Sequence, residues 1–498
     1  MSDPLILAHD IGTSGTKTSI VGADGAVLDS ESSAHATHYG PGGAAEQEPD
    51  DWWAGVCRNT RALVQRHADL PRRVAAIGLS GQMLACLPVG AHGEPLRPSM
   101  IHSDTRAERE AEQIAQTLGR EAVYQVTGNV LDARSPLSKM LWLKANEPDV
   151  YRRAARFLQA KDFIVGRLTE SFDSTDLSDA AHAQWLDVRR MAHAADLLAG
   201  LGLDAGKLPE LHRPTDIVGR LSGSAARATG LTAGVPVVAG AGDGCCATAG
   251  AGAVRAGDTY CCLGTTAWVA TVAGGPWIDA QARVFNLPLL DGAGWSVHGV
   301  VQSAGRSVEW VMELLGEPDL GRLDEVLAAA PAGSGGLIFL PYLEGERSPI
   351  WDVNARGVFF GIAPAHGRAH FVRATVEGVS FALRAVLEVL RERAPIGAIR
   401  LIGGGGRSGA WQQMLADICD VDVEVLSIRS EDATSLGAAI AAGVGVGLFA
   451  SVADGCRTIA VERTRRPAGE LRWTYDRAFD LYRSLYPALK PAFARGRG

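Results

Sequence analysis

The chain has 498 residues, more than one hydrophobic core usually serves, so two domains of about 250 residues each are expected. Hydrophobic residues make up 47% and charged residues 21%, as in ordinary soluble globular proteins. The formal net charge of -8 argues against a general nucleic-acid or anionic-membrane surface, and the N-terminal segment lacks the basic start and long apolar core of a signal peptide, so a cytoplasmic protein is expected.

A β-hairpin is the first predicted element. An apolar strand from Leu5 ends at Asp10, and the sequence DIGTSGTK then leads into a returning strand. A P-loop would need a different spacing and a following helix. The turn can hold phosphate through backbone N–H groups and hydroxyls, although a plain hairpin turn is the alternative. Asp10 can hold Mg²⁺, directly or through water. The predicted phosphate residues are Gly12, Thr13, Ser14, Gly15, Thr16 and Lys17.

A helix and a second strand follow. Asp50 or Asp51 is predicted to cap a helix that runs to about Arg66. The strand over 74–79 ends at a turn that contains Gln82 and Met83. Small ligands of open α/β sheets bind just past such strand ends, so these two residues are candidate substrate contacts, with a simple strand-terminal turn as the alternative.

Two readings apply to Asp104, which precedes an acidic and then apolar helical sequence. It can cap that helix, or it can accept hydrogen bonds from sugar hydroxyls. Residues 151–233 are predicted to be helical and rich in loops, and no chemistry is assigned to them. His182, in this region, is interpreted as a surface or core histidine.

The centre of the chain carries the strongest candidate for a catalytic group. Asp243 is the only charged residue in a run of small residues after the apolar segment 235–238. A carboxylate at the end of a buried strand, flanked by glycines, can be approached closely by a ligand and can act as a base. Further on, Gly264, Thr265 and Thr266 form a tight turn between two predicted strands, where N–H groups and hydroxyls can face phosphate.

Four elements are predicted in the last part of the chain. Residues 371–393 have helical periodicity. A strand over 399–402 leads through four glycines into a helix over 409–419, and such a junction lets a flat group such as a nucleotide base lie against the backbone. The uncharged segment 435–453 is dominated by Ala and Gly, which predicts a buried helix with close backbone packing.

Five motifs occur in the order DIGTSGTK, GAGDG, LGTT, PYLEGERSP and GGGGRSGAWQQMLADI. In that order they resemble the FGGY carbohydrate kinases of the actin-like ATPase superfamily, and SPLSKMLWLKANEP is similar to a helical signature of that family. The resemblance covers nearly the whole chain. It implies two ribonuclease-H-like α/β domains, over 1–250 and 251–498, with an interdomain cleft. It also implies transfer of the γ-phosphoryl group of Mg-ATP to a sugar hydroxyl.

The resemblance implies roles for individual residues. Asp243 matches the catalytic base and Asp10 the metal-associated acid. Besides the predicted hairpin turn, the residues implied to bind ATP are Gly264, Thr265, Thr266, Gly404, Gly405 and Arg407. The candidate sugar contacts are Gln82, Met83, Leu84, His102, Asp104, Arg106 and Asp243 itself. The expected partner is a small sugar, without nucleic acid or membrane, and a homodimer is a family-level expectation.

The sequence SGQM at 80–83 is similar to xylulokinases, which makes a ketopentose such as D-xylulose the expected substrate. Xylulokinases usually carry His where this chain has Leu84, and a Trp-containing segment where it has Ile101-His102-Ser103. His102 can take over a polar contact, or the substrate is gluconate, a pentitol, ribulose or another polyol. The rivals are an actin-like nucleotide-switch protein, which would need no sugar pocket, and a sugar-binding protein that has lost catalysis.

Overall fold

The computed structural model describes residues 3–495, except for the side chain of Ser430. The strands are β1 (Leu5–Ile11), β2 (Gly15–Gly22), β3 (Val27–Ala34), β4 (His38–Gly40), β5 (Ala44–Gln47), β6 (Val74–Gly81), β7 (Leu87–Val89), β8 (Ser99–Met100), β9 (Arg156–Leu158), β10 (Ser174–Asp176), β11 (Leu186–Asp187), β12 (Ala192–His193), β13 (Glu210–His212), β14 (Ile217–Arg220), β15 (Pro236–Val238), β16 (Ala241–Gly242), β17 (Thr259–Leu263), β18 (Ala267–Ala273), β19 (Phe285–Pro288), β20 (Trp295–Val301), β21 (Ile338–Leu340), β22 (Val358–Phe360), β23 (Ala398–Ile402), β24 (Asp422–Leu426) and β25 (Val461–Arg465).

The α-helices are α1 (Pro49–Arg66), α2 (Leu70–Arg73), α3 (Glu108–Leu118), α4 (Arg120–Thr127), α5 (Pro136–Asn146), α6 (Pro148–Arg153), α7 (Ala160–Thr169), α8 (Leu177–His182), α9 (Ala195–Gly200), α10 (Gly223–Thr229), α11 (Asp243–Gly250), α12 (Gly305–Leu314), α13 (Leu323–Ala328), α14 (Arg368–Arg391), α15 (Gly409–Cys419), α16 (Ala433–Gly445), α17 (Val452–Gly455) and α18 (Arg472–Arg495).

The chain divides into two compact units. The first contains the described residues up to Val254, with Ala273–Ser296 and Asp432–Thr458, and the second contains Arg255–Val272, Val297–Glu431 and the described residues from Ile459. The units therefore do not follow a single cut after residue 250, because two later segments join the first unit. Residues 1–2 and 496–498 of the two predicted domains lie outside the described residues.

In the first unit a mixed sheet has the strand order β14, β15, β6, β1, β2, β3, and β16 also pairs with β6. β1 and β2 form the predicted antiparallel hairpin, with Leu5 opposite Gly22 and Ile11 opposite Thr16. β1 and β16 each run parallel to β6. Trp52 and Phe163, both fully buried, meet edge to face in the core of this unit with ring centroids 6.4 Å apart.

Helices α7 and α16 cover opposite faces of β6. A Cβ on Gly78 would lie 2.1 Å from Ala438 O in α16, and one on Gly81 would lie 3.0 Å from Lys161 Cβ in α7. Residues three apart on a strand point to opposite faces, which agrees with these contacts. The prediction that the Ala- and Gly-rich segment forms a closely packed buried helix is confirmed, because a Cβ on Gly437 of α16 would lie 2.0 Å from Cys246 O in α11.

The second unit contains a sheet in which β20, β18, β17, β23, β24 and β25 are neighbours in that order. β17 pairs antiparallel with β18 and parallel with β23, and β23 runs parallel to β24. Helix α14 packs against α12, α15 and β21. The helices predicted over 371–393 and 409–419 are confirmed as α14 and α15.

Two predicted helix starts are wrong. α1 begins at Pro49 after Glu48, so Asp50 and Asp51 lie in its first turn, where negative charge is favourable without capping it. α3 begins at Glu108, so Asp104 does not cap it. Over residues 3–495, no helix combines the length and apolar character that crossing a membrane requires.

Candidate active site

Three parallel strand ends meet in the first unit. Asp10 of β1 is opposite Ser80 of β6, and Gly242 of β16 is opposite Gly81 of β6. Asp243 follows Gly242 directly and is the first residue of α11. The register therefore brings Asp10 and Asp243, which are 233 positions apart in sequence, to the same edge of the sheet, where ligands of open α/β sheets bind.

Asp243 is held at the start of a helix and has an unusual acidity. Its Oδ1 accepts a hydrogen bond of 2.8 Å from the N–H of Gly244. Burial and the negative charge of Asp10 raise the pKa of Asp243 to about 7, against the lowering effect of the Gly244 N–H. A carboxylate with a pKa near neutrality is basic enough to take a proton from a polarised hydroxyl and is still ionised in a large fraction of molecules.

Asp10 is a half-buried acid with spare acceptor capacity on its buried Oδ1. Burial raises its pKa, while the Ser80 hydroxyl and the Lys17 ammonium oppose this. No donor in the part of the chain that the structure describes reaches Asp10 Oδ1, which is buried. Lys17 stands opposite Asp10 in the β1–β2 ladder and forms an ion pair with Asp432, just before α16. The predicted phosphate lysine is therefore held by a carboxylate in this structure.

The hairpin turn presents fewer groups than predicted. The N–H of Gly12 donates to Gly15 O at 2.9 Å and closes the turn. Thr16 is 1% exposed and its hydroxyl lies against α1, where a Cβ on Gly55 would be 3.1 Å away. The prediction that the Thr16 hydroxyl faces phosphate is wrong, because the strand register turns this side chain to the buried face of the sheet. Thr13 is half-buried and Ser14 is exposed.

Gln82 links the end of β6 to the hairpin turn. Its backbone N–H donates to Ile11 O at 2.8 Å, and its side-chain amide donates to Gln47 Oε1 at 2.7 Å. Gln47 in turn donates to Thr13 O at 2.7 Å. Gln82 Oε1 is buried and receives no hydrogen bond from residues 3–495, so it can accept one from a ligand hydroxyl.

Met83, the next residue, lies beside the segment that leads to Asp243, and Leu84 follows it in a turn. A Cβ on Gly242 would lie 2.5 Å from Met83 Cε, so the Met83 side chain lies directly against the backbone that precedes Asp243. Leu84 has a φ of 64°, a conformation that costs free energy for a side chain other than glycine. The buried ammonium of Lys139 donates to Leu84 O at 2.8 Å and to Ile101 O at 2.7 Å, and so fixes this turn.

Asp104 and Arg106 bind each other instead of presenting free groups. Asp104 is fully buried and its Oδ2 accepts from Ala45 N at 2.9 Å and from Arg106 at 2.6 Å. The Arg106 guanidinium also pairs with Glu46 at 2.6 Å and lies over the Trp142 ring, 5.1 Å from its centroid. A carboxylate engaged in this way has little capacity left for sugar hydroxyls, so the structure favours a structural role for both residues.

His102 occupies the same segment and is half-buried. It follows Ile101, whose carbonyl oxygen is held by Lys139. One buried ammonium therefore binds the carbonyl oxygens of Leu84 and of Ile101, the residue before His102.

The second unit brings its two glycine-containing turns together. Gly264, Thr265 and Thr266 follow β17, and the glycine run follows β23, the parallel neighbour of β17. Gly403 has a φ of 92°, and a Cβ there would lie 2.6 Å from Leu263 O. The turn after β17 is in turn fixed to α12, because Gly305 N donates to Gly264 O at 2.9 Å.

The surface of these turns is open where a ligand would need it. Gly404 is exposed, and among the described residues no atom beyond its own chain neighbours lies within 4 Å of a Cβ placed on it, whereas a Cβ on Gly405 would lie 2.7 Å from Leu263 Cγ. Thr265 is exposed and Thr266 is half-buried. Arg407 is exposed and lies 3.6 Å from Glu431. The two turns therefore present the backbone of Gly404, the hydroxyls of Thr265 and Thr266 and the guanidinium of Arg407.

The predicted metal site can be tested against the side chains present. Within residues 3–495 no group of three or more His, Cys, Asp or Glu side chains is arranged to hold a metal ion. Mg²⁺ needs no such cage, because in nucleotide sites it keeps several waters and binds one or two carboxylates together with substrate phosphates. Asp10, whose buried Oδ1 receives no hydrogen bond from residues 3–495 and whose charge influences Asp243, fits that arrangement.

Two residues connected to the backbone before Asp243, Asp176 and Ser178, were not predicted from the sequence. The polar run STDLSD contains Asp176 and Ser178, which connect to Gly242 by hydrogen bonds. An Asp directly before a short helix is a capping signal that could have been found, but its link to Gly242 could not. His182, which the sequence predicts to be a surface or core histidine, is half-buried, with its Nδ1 3.4 Å from Met83 Sδ and its ring stacked on Phe285 at 4.9 Å between centroids.

Comparisons with known proteins agree with this arrangement. Residues 5–250 match the N-terminal domain of the FGGY family of carbohydrate kinases, and residues 259–446 match its C-terminal domain. The chain is similar to the xylulose kinase of Bacillus subtilis, with 31% identity over 97% of this chain and 97% of that protein.

Two solved structures from Lactobacillus acidophilus are similar over nearly the whole chain. A ligand-bound xylulose kinase has a TM-score of 0.93 at 27% identity and covers 99% of both chains. A gluconate kinase also has a TM-score of 0.93 at 27% identity, over 99% of this chain and 100% of the other. The backbone therefore resembles kinases of two different sugar classes equally well.

Proposed function

This chain belongs to the FGGY family of carbohydrate kinases, and we propose that the sugar it phosphorylates is a ketopentose such as D-xylulose. The chain is an ATP-dependent sugar phosphotransferase, so the open question is the acceptor. The observation that carries the proposal is the position of the SGQM segment, which is similar to xylulokinases. Its Met83 lies against Gly242, the residue before Asp243.

In the proposed reaction Asp243 is the general base. The sugar hydroxyl oxygen forms a bond to the γ-phosphorus of ATP while the bond from that phosphorus to the β,γ-bridging oxygen breaks, and ADP leaves. The hydroxyl proton passes to the Asp243 carboxylate and later to water. Phosphoryl transfer depends mainly on in-line positioning and on neutralising the charge of the phosphate oxygens, so a single base and a set of donors suffice.

The residues of the second unit are proposed to bind the nucleotide. The open backbone at Gly404 suits a flat base, with Gly405 and Arg407 beside it, and the turn Gly264–Thr266 offers hydroxyls to phosphate oxygens. In the first unit Thr13 and Ser14 are proposed to add hydroxyl contacts to phosphate. Gln82 Oε1 is proposed to accept a hydrogen bond from the sugar, because it is buried and otherwise unused among residues 3–495.

Mg²⁺ is proposed to be held near Asp10. When bound, it would neutralise charge on the phosphate oxygens of ATP. Asp10 would hold it directly or through water, and the neighbouring Lys17, paired with Asp432, would limit the excess of negative charge at this edge.

Gluconate is the second candidate acceptor, and two observations favour it. The gluconate kinase structure is as similar to this chain as the xylulose kinase structure is. In addition, the position after Met83 carries Leu84, where xylulokinases usually carry His. A pentitol or D-ribulose would use the same site.

A coupled assay of ADP formation tests the proposal. The purified chain is supplied with Mg-ATP and, in separate reactions, D-xylulose, D-ribulose, xylitol, gluconate and glycerol. The proposal predicts a kcat/KM for D-xylulose at least about 10-fold above every other acceptor, which corresponds to about 1.4 kcal/mol of transition-state discrimination. A higher kcat/KM for gluconate would contradict it and would assign the sugar acid instead.

A further inference from the structure

A buried ionic cluster lies behind the strand end that leads to Asp243. Lys161, in the first turn of α7, is fully buried, and its Nζ is 2.6 Å from Asp162 Oδ1, 2.9 Å from Asp176 Oδ1 and 3.3 Å from Asp179 Oδ2. Burial raises the pKa of Asp179, as do the nearby carboxylates, while Lys161 opposes this. The two shortest contacts of the Lys161 ammonium are those to Asp162 and Asp176.

Asp176 connects Lys161 to Ser178, because it contacts both residues. One of its oxygens, Oδ1, faces Lys161, and the other, Oδ2, accepts from the Ser178 backbone N–H at 2.7 Å and from the Ser178 hydroxyl at 2.5 Å. The hydroxyl hydrogen is thereby committed to the carboxylate. Ser178 Oγ is left with lone pairs only, so the other partner that it can bind is a donor.

That donor is the backbone N–H of Gly242, which reaches Ser178 Oγ at 3.0 Å. Gly242 also has little room to move, since a Cβ on it would lie 2.5 Å from Met83 Cε and the residue pairs with Gly81 in β6. The lysine packs against the same strand, because a Cβ on Gly81 would lie 3.0 Å from Lys161 Cβ. The cluster, β6 and the start of α11 therefore form one buried, contiguous unit.

We infer that Ser178 is a positioning residue for the base: oriented by Asp176 and Lys161, it fixes the Gly242 peptide and so the direction in which the Asp243 carboxylate leaves the helix start. This inference rests on the proposed role of Asp243. Ser178 should therefore contribute to kcat and not to the binding of sugar or ATP. The orientation of the Asp243 carboxylate matters for proton transfer in the transition state, whereas other groups hold the bound sugar and ATP.

The experiment is a double-mutant cycle with Ser178→Ala and Asp243→Asn, measured by ADP formation. Ser380→Ala is the matched control. Ser380 is also fully buried, and its hydroxyl likewise donates once, to Val376 O at 2.8 Å, and accepts once, from Trp411 Nε1 at 3.2 Å. It lies in α14 of the second unit. Values of kcat, both KM values and the unfolding temperature are measured for each variant.

We expect Ser178→Ala to lower kcat by about 10-fold or more relative to Ser380→Ala, with KM values for sugar and ATP within about 3-fold of the parent. In the Asp243→Asn background, Ser178→Ala should cause no further loss of kcat, because the group that it positions is gone. If Ser178→Ala does not fold, Ser178→Cys, which is closer in volume and a weaker hydrogen-bonding group, takes its place in the cycle.

Two results would overturn the inference alone: a kcat for Ser178→Ala equal to that of Ser380→Ala, or the same fold-loss in the presence and absence of the Asp243 carboxylate. Either would assign Ser178 to packing. Full activity of Asp243→Asn would instead overturn the proposed role of the base, so the two failures are distinguishable.

Discussion

Asp10 and Asp243 stand at the ends of two strands, β1 and β16, that both pair with β6, and their carboxylates influence each other. Burial, together with the negative charge of Asp10, raises the pKa of Asp243 to about 7. A proton acceptor and a candidate metal-associated acid are thus coupled electrostatically at one sheet edge.

The pH dependence of kcat/KM should report this coupling. Asp243 must be ionised to accept a proton, and its pKa of about 7 means that the ionised form is lost as the pH falls through neutrality. We expect kcat/KM for the sugar to fall about 10-fold per pH unit below that point. Asp10→Asn should move the midpoint to lower pH, because it removes a negative charge that raises the pKa. A pH-independent kcat/KM between pH 5 and 8 would contradict the assignment.

Removal of divalent cations should abolish turnover. We expect an excess of EDTA to stop ADP formation and added Mg²⁺ to restore it. Asp10→Asn should raise the Mg²⁺ concentration for half-maximal activity by about 10-fold, since one of the few protein carboxylates near the ion is lost. Asp24→Asn is a suitable control, because Asp24 lies in the turn after β2, where its Oδ1 accepts from Ala26 N. An unchanged Mg²⁺ requirement in Asp10→Asn would contradict the role of Asp10.

The nucleotide turn can be tested with a minimal substitution. A Cβ on Gly404 would meet no atom within 4 Å from the part of the chain that the structure describes, apart from its chain neighbours, so Gly404→Ala should leave the unfolding temperature unchanged. If adenosine lies against this backbone, the added methyl group should raise KM for ATP by about 10-fold without changing KM for the sugar. Gly397→Ala, where a Cβ is equally unobstructed, is the control and should change neither. Equal KM values for ATP in the two variants would place the nucleotide elsewhere.

Lys139, whose buried ammonium binds Leu84 O, should make a contribution to the free energy of unfolding that depends on pH. Burial lowers the pKa of Lys139 to about 8, against the raising effect of Asp104. Between that pH and the ordinary pKa near 10.5, the unfolded chain binds a proton that the folded chain does not, so the contribution of this residue to stability rises with pH. The free energy of unfolding of the parent, minus that of Lys139→Met, should therefore increase from pH 8 to pH 10. A constant difference would show that the pKa is not lowered.

The parts of the fold that could be predicted from sequence are those set by local patterns. The hairpin of β1 and β2 and the turn after β17 follow from short apolar runs separated by Gly and Thr. Helix α14 follows from its helical periodicity, and helix α15 from the strand and glycines before it. Asp10 and Asp243 could be singled out because each is an isolated acid at the end of an apolar segment.

The parts that could not be predicted depend on contacts between distant segments. Asp104 accepts a hydrogen bond from Ala45 N, 59 positions earlier in the chain. It also pairs with Arg106, which is itself held by Glu46 and lies over the Trp142 ring, so Asp104 is not a free acid. The orientation of Thr16 depends on which face of the sheet meets α1. The bond from Gly242 to Ser178 spans 64 positions.

Replacement of the Asp243 carboxylate tests the central claim most directly. Asp243→Asn keeps the size of the side chain and removes the base, so sugar-dependent ADP formation should fall at least about 100-fold while the affinity for ATP, measured by equilibrium binding, stays within about 3-fold of the parent. Turnover equal to that of the parent would contradict the claim.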